Sequence, residues 1–270
     1  MIVCRSAAEL KRLREVNQLV GHVLEQLREA AAPGVTTEDL DALAERGIVA
    51  GGAVPAFKGY KGYPATICAS VNEQVVHGIP SAKVALREGD IISIDLGAKM
   101  GGFFGDSAVT VGIGSISPKA ADLLRVTEEA LWKAIEVVRP GARVSDLGHA
   151  VQSHVEKFGF SVVREFVGHG IGAELHEEPQ IPNYGDPGRG PRLAEGMVLA
   201  IEPMVNLGEA GVKVLKDGWT AITSDRSLSA HFEHTVAVTA DGADVLSLLQ
   251  RAPAKERDNE GTSVSQAHLR

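Results

Sequence analysis

Cysteine is nearly absent: Cys4 and Cys68 are the only two in 270 residues. Two thiols cannot build a disulfide framework or a cysteine-rich zinc site, so a reducing compartment, the cytoplasm, is the expectation. Aromatic residues are scarce at 4%, so the core must rest on Val, Ile, Leu and Ala. No apolar run approaches the roughly 18 residues that a membrane-spanning helix needs. The opening segment, MIVCRSAAELKRLREVNQLV, goes straight into a charged amphipathic pattern and carries no signal-peptide core. Basic charge is in deficit, 27 against 35 acidic residues for a net −8. Its only cluster, KRLR at 11–14, reads as a solvated helix face rather than a nucleic-acid footprint.

What is present is an ordinary globular composition, 44% hydrophobic and 23% charged, with thirty glycines gathered toward the middle. Leu10, Leu13, Val16, Val20, Val23, Leu24 and Leu27 recur with a helical period, predicting a helix over 6–31. A second helix is predicted from Thr36, with Asp39 spaced to close a capping box. ATICASV and DIISIDLGA read as strands, and GGFFGDSAVTVGIG as a hairpin return. Two more helices follow, and then the short β-type runs GMVLAIEPMV, GVKVL, WTAITS and EHTVAVT. Strands grouped in this way predict an α+β class with an antiparallel sheet. Residues 1–252 read as a single domain and 253–270 as a polar tail expected to be disordered.

The chain also echoes itself. PGVTTEDL begins at Pro33 and PGARVSDL at Pro140; EGDIISID begins at Glu88 and EGMVLAIE at Glu195, both pairs 107 residues apart. Two matches at one offset, over unlike local structures, predict duplicated halves facing each other across a pseudo-twofold. The second echo ends on Asp95 in one copy and Glu202 in the other. Both carboxylates are therefore expected to finish a strand and point at a common centre.

Asp95, Asp106, Glu202 and Glu233 each sit among apolar strand-forming residues. A buried carboxylate costs several kcal/mol without a cation, a proton or a donor. Four carboxylates balance the charge of two divalent ions, and such a pair can activate a water as nucleophile. His169, in GHGIGAELHEEP, would add a neutral nitrogen. An oxygen-rich set with one imidazole suits Mn, Co, Fe or Zn.

The ordered set Asp95, Asp106, His169, Glu202 and Glu233 resembles the metal signature of the type I methionine aminopeptidases, members of peptidase family M24 with the pita-bread fold. The strings YKGYPATICASVNEQVVHGIP, GDIISIDLGAKMGGFFGDSAVTV, GHGIGAELHEEPQIPNY, EGMVLAIEPM and EHTVAVT agree, from about residue 5 to 248. The resemblance implies removal of an N-terminal methionine ahead of a small, uncharged second residue. It implies two divalent ions bridged by Asp106 and Glu233, with Asp95 completing one ion and His169 and Glu202 the other. Glu202 would also shuttle a proton. His77 would lie near the substrate amine or scissile bond, and His176 would contact the peptide carbonyl and developing oxyanion. Tyr60, Tyr63, Cys68 and Trp219 match positions lining the methionine pocket. Nascent polypeptide N-termini are the implied partners, at or near the ribosome, for a cytoplasmic enzyme expected to be a monomer.

Two residues depart from the pattern: Leu175 stands where the family commonly has an aromatic, and Phe57 where a smaller residue is frequent. Both concern the pocket wall and substrate preference. Prolidase and aminopeptidase P share the fold but typically carry a domain before the catalytic one, whereas His77 here follows two helices and a loop. A creatinase-like, metal-free member has no reason to keep five ligands. The type II enzymes insert a helical segment before the "EP" glutamate, whereas Glu202 follows His176 by only 26 residues. A non-enzymatic adaptor would be expected to lose ligands or gain basic patches. His22, His149 and His154 fall on predicted helices outside any motif.

Overall fold

The computed structural model describes residues 1–249. Four helices form where periodicity and capping predict them: α1 (Ala7–Ala30), α2 (Thr37–Ala50), α3 (Pro118–Val137) and α4 (Val144–Val155). Ser6 and Thr36 close capping boxes with Glu9 and Asp39, satisfying orphan N–H groups at the starts of α1 and α2. The tail at 253–270 lies outside the described residues.

Two small three-stranded sheets form, and nine further strands among the described residues assemble into one larger sheet. Its main path runs Val54–Pro55, Ile91–Met100, Phe103–Gly112, Glu233–Thr239, Val198–Ile201, Gly168–Gly170, Glu177–Ile181, with Ile67–Val71 and Gly242–Val245 paired beside it. Every pairing among the described residues is antiparallel, as the grouped strands predict. The apolar stripe of α1 (Leu13, Val16, Val20, Val23, Leu24, Leu27) packs with α2 into one core. Helices α3 and α4 pack into a second. Between helix and sheet, α1 comes so close that a Cβ on Gly105 would meet Asn17 at 3.1 Å. Asn17 is buried there, and its Oδ1 accepts the Asp106 N–H at 3.3 Å.

The internal echo is structural. Isolated bridges join Thr36 to Ala85 and Arg143 to Arg192, both displaced by 107 residues. The Gly34 N–H donates to the Leu86 carbonyl at 2.8 Å, and Gly141 to Leu193 at 2.9 Å. α1 and α3 end at Ala30 and Val137, α2 and α4 begin at Thr37 and Val144, and strands begin at Ile91 and Val198. All keep the same offset, which is what duplicated halves require.

One expectation needs correction. Glu202 does follow a strand end, because Pro203 has no N–H to continue the ladder, and GMVLAIEPMV is thereby split into Val198–Ile201 and Met204–Asn206. Asp95 does not end a strand. It lies in the middle of Ile91–Met100, which pairs along its whole length with Phe103–Gly112. The two carboxylates occupy equivalent places, but only the second half breaks its strand there.

Candidate metal centre

The register of the sheet assembles the site. Residues paired across antiparallel strands point to the same face, and so do residues two apart on one strand. Cys68 pairs with Asp95, Asp95 with Ala108, and Ala108 with Glu233, giving one row across four strands. Asp106 is two residues before Ala108 and shares its face. In the adjoining row, His169 pairs with Ala200 and Ala200 with Thr235, two residues from Glu233. Glu202 is two residues beyond Ala200. The five expected ligands thus converge on one face, and the small side chains of Ala108 and Ala200 leave space between them.

One ligand atom from each of Asp106, His169 and Glu233 lies within 4.8 Å of the others. Glu202 Oε1 is 3.5 Å from His169 Nε2, and Asp95 lies against Asp106. The buried oxygens Asp95 Oδ1, Asp106 Oδ1 and Glu233 Oε1 have no hydrogen-bond partner. Such groups are too costly to leave unsatisfied, and divalent cations are the partner that suits several at once. The donor set therefore fits a metal.

Burial drives the acids toward their neutral forms. Desolvation pushes Asp95 up to about 7 and Glu202 up to about 8. Asp106 and Glu233 rise well above the carboxylate range, from desolvation first and then from neighbouring carboxylates. Desolvation also lowers His169 to about 3, with His176 adding to the effect. His169 is therefore neutral, as a ligand must be. Its Nδ1 donates to the Gly170 carbonyl at 2.9 Å, leaving the lone pair of Nε2 directed at the centre.

The remaining expected residues line the same cavity, of about 180 Å³. His77 is held at φ 61°, a left-handed conformation that is uncommon for a non-glycine residue. Its ring meets Phe166 edge-on at 5.4 Å and Trp219 at 6.3 Å. Burial lowers it to about 4. His176 sits exposed at the rim, 4.2 Å between ring centroids from His169, with its Nδ1 3.0 Å from the Tyr60 hydroxyl. The apolar end carries Tyr63, Cys68 and Trp219, with Tyr63 and Trp219 edge-on at 5.1 Å. The Tyr63 hydroxyl is turned away, 2.9 and 3.0 Å from the carbonyls of Ile67 and Gly78. Burial pushes the Cys68 thiol well up, so it stays neutral. Leu175 and Phe57, the two departures, are in the cavity wall.

His22, His149 and His154 lie away from this cavity, His154 against Glu129 at 3.0 Å. Four residues escaped the sequence reading: Asn17, Lys61, Phe166 and His231. The last had a legible signal, since it stands two residues before Glu233. Asn17 had none, being an ordinary polar residue inside a helix stripe.

Two repeated halves, an antiparallel sheet and a carboxylate-rich centre define a class of metal-dependent hydrolase, and comparison identifies it. Residues 11–240 match metallopeptidase family M24. A methionine aminopeptidase 1 of Bacillus subtilis is 54% identical, over 91% of this chain and 99% of that protein. The crystal structure of a methionine aminopeptidase from Thermotoga maritima matches with a TM-score of 0.90 at 46% identity, over 92% of this chain and 99% of that one. A prolidase from Pyrococcus horikoshii shares the fold, with a TM-score of 0.76 at 24% identity, over 93% of this chain and 65% of that one. The chain belongs to metallopeptidase family M24 and, within it, to the type I methionine aminopeptidases.

Proposed function

We propose that this protein removes the N-terminal methionine from nascent proteins and peptides when the second residue is small and uncharged. The observation that carries the reading is the single-faced row of acids with orphaned buried oxygens, ending at an apolar cavity around Cys68.

Asp95, Asp106, His169, Glu202 and Glu233 would together hold two divalent ions, with Asp106 and Glu233 contributing to both. Four carboxylates and one imidazole suit Mn, Co, Fe or Zn. When bound, the ions supply Lewis acidity and a water of lowered pKa. The protein's own groups do the rest. Tyr60, Tyr63, Cys68 and Trp219 receive the methionine side chain, whose thioether packs well at ring edges. His77 holds the substrate near its amine and scissile bond. His176, steadied by the Tyr60 hydroxyl, donates to the peptide carbonyl as charge develops on it. Glu202 carries the proton to the leaving amine, a task for which its carboxylate, beside His169 in the cavity wall, is placed. A cavity of about 180 Å³, walled by Leu175 and Phe57, leaves little width for a second side chain.

Residues 1–252 are taken as one catalytic domain, because the central sheet draws strands from Val54 through Val245. The proposed working unit is a monomer. Cytoplasm is the proposed compartment, where a buried thiol beside substrate stays reduced and nascent N-termini emerge at the ribosome. Among the described residues, no helix is long and apolar enough to cross a membrane.

The test is hydrolysis of Met-Gly-Met and Pro-Gly-Met by metal-stripped protein given Mn, Co, Fe or Zn, with a chelator control. Metal-dependent release of Met and not Pro is expected. Asp106→Ala should lower kcat/KM at least about a thousand-fold, the loss of roughly 4 kcal/mol of metal-derived stabilisation. Full activity in that variant would sink the assignment.

A further inference from the structure

We propose that His231 is a positioning residue for Glu202, a role that rests on the metallopeptidase reading above. Its side chain is buried, 1% exposed, and its Nε2 has no hydrogen-bond partner. That nitrogen lies 3.6 Å from Glu202 Oε2, while the other oxygen, Oε1, lies 3.5 Å from His169 Nε2. The Glu202 carboxylate thus lies between two imidazoles, one near each oxygen. His169 belongs to the expected ligand set. His231 does not, yet its unsatisfied nitrogen is aimed at the same group.

The surroundings fix where that nitrogen points. Thr110 Oγ1 donates to the His231 carbonyl at 2.7 Å and accepts the His231 N–H at 2.8 Å, gripping the backbone from both sides. The single Thr110 hydroxyl proton is thereby used, so Ser93 Oγ, 2.7 Å away, is the donor in its contact with Thr110. On the other side, His231 pairs with Met204, two residues beyond Glu202. A peptide held in this way fixes the direction in which the imidazole leaves the strand. Closing the 3.6 Å separation to a hydrogen bond takes a shift of about half an ångström. Nε2–H of the neutral ring then donates to Oε2, leaving Oε1 for the metal side. Groups of this kind hold a ligand's orientation and raise its effectiveness.

The experiment compares His231→Gln, which keeps an N–H donor of similar reach, with His231→Leu, which keeps bulk and loses it. Divalent-ion affinity is measured by calorimetry with Mn on stripped protein, alongside kcat and KM for Met-Gly-Met and the visible spectrum with Co. His231→Leu should bind Mn about 10- to 100-fold more weakly, the range expected when a group orienting a ligand is lost. Its kcat should fall by a similar factor, its KM should stay within about threefold, and its Co spectrum should change. His231→Gln should stay within about fivefold of the parent on each measure. Should His231→Leu fail to fold, His231→Asn, whose amide falls short of Oε2, takes its place with the same expected loss. Equal loss in the Gln and the short or apolar variants, or no loss in any, overturns the proposal. Failure of the parent protein to release methionine would instead count against the functional reading. The Mn affinities would still decide the role of His231.

Discussion

At the scale of single residues, proton and metal compete for the same oxygens. Burial raises Asp95, Asp106, Glu202 and Glu233, so without ions the folded chain holds protons more tightly than the unfolded one. Their contribution to the stripped protein is full below the ordinary values of 3.8 and 4.5, and is lost as pH rises through the folded values, about 7 for Asp95 and about 8 for Glu202. The histidines have the opposite sign: His77 and His169 are lowered to about 4 and about 3, and their contribution is lost as pH falls below the usual 6.5. The absolute stability of stripped protein therefore mixes two trends. The gain on adding metal does not, because His169 is already neutral and only the carboxyls must release protons. The rise in Tm on adding Mn should be larger at about pH 7.5 than at about pH 5.5. Equal rises at both would show that these carboxyls are not the ligands.

At the scale of elements, the segment before α1 ties two loops of the site together. The Arg5 N–H donates to the Gly196 carbonyl at 2.7 Å, just before the strand that leads to Glu202. Its Nη2 donates to both carboxylate oxygens of Glu177, the neighbour of His176, and the guanidinium lies 5.8 Å from the Phe103 ring. Both partners are shielded, 7% and 12% exposed. Removing one partner leaves a charge uncompensated, so Arg5→Met should destabilise the fold by about 3 kcal/mol and lower Tm by roughly 6 °C or more. With the His176 loop loosened, KM for peptide should rise. The double variant Arg5→Met/Glu177→Met should recover part of the lost Tm. A fall of less than about 2 °C in the single variant would mean that the tie does not hold the segment. This link was illegible in the chain, because Arg5 and Glu177 are 172 residues apart and each alone is an ordinary surface charge. The capping boxes at Ser6 and Thr36, by contrast, could be read directly, since all their partners lie within four residues.

At the scale of the whole molecule, two halves offset by 107 residues close around one cavity. All the cavity residues lie between Phe57 and Glu233, and the family match ends at 240. The last described contacts toward the C-terminus are Gln18 Nε2 donating to the carbonyls of Leu246 and Leu248, at 2.7 and 2.8 Å. A chain cut after residue 252 keeps all of these. Its kcat/KM should stay within about twofold and its Tm within about 1 °C of the full chain, as expected when every described contact of the core and cavity is retained. A larger fall in either would assign the tail a part in the fold or the site.

The amino-acid order alone determined the helices and the duplicated halves, and it singled out the five expected ligands. Periodicity, caps and the spacing of acids within apolar strands are local patterns, carried by covalent sequence. Cross-strand register belongs to the tertiary structure. It decided that Asp95, Ala108 and Glu233 share a row, that Asp95 sits in mid-strand while Glu202 follows a break, and that Asn17 supports Asp106 from behind the sheet. It also turned His231 toward Glu202. The physical reason is that a strand's alternation says which residues share a face, but only pairing with a distant strand says what that face meets.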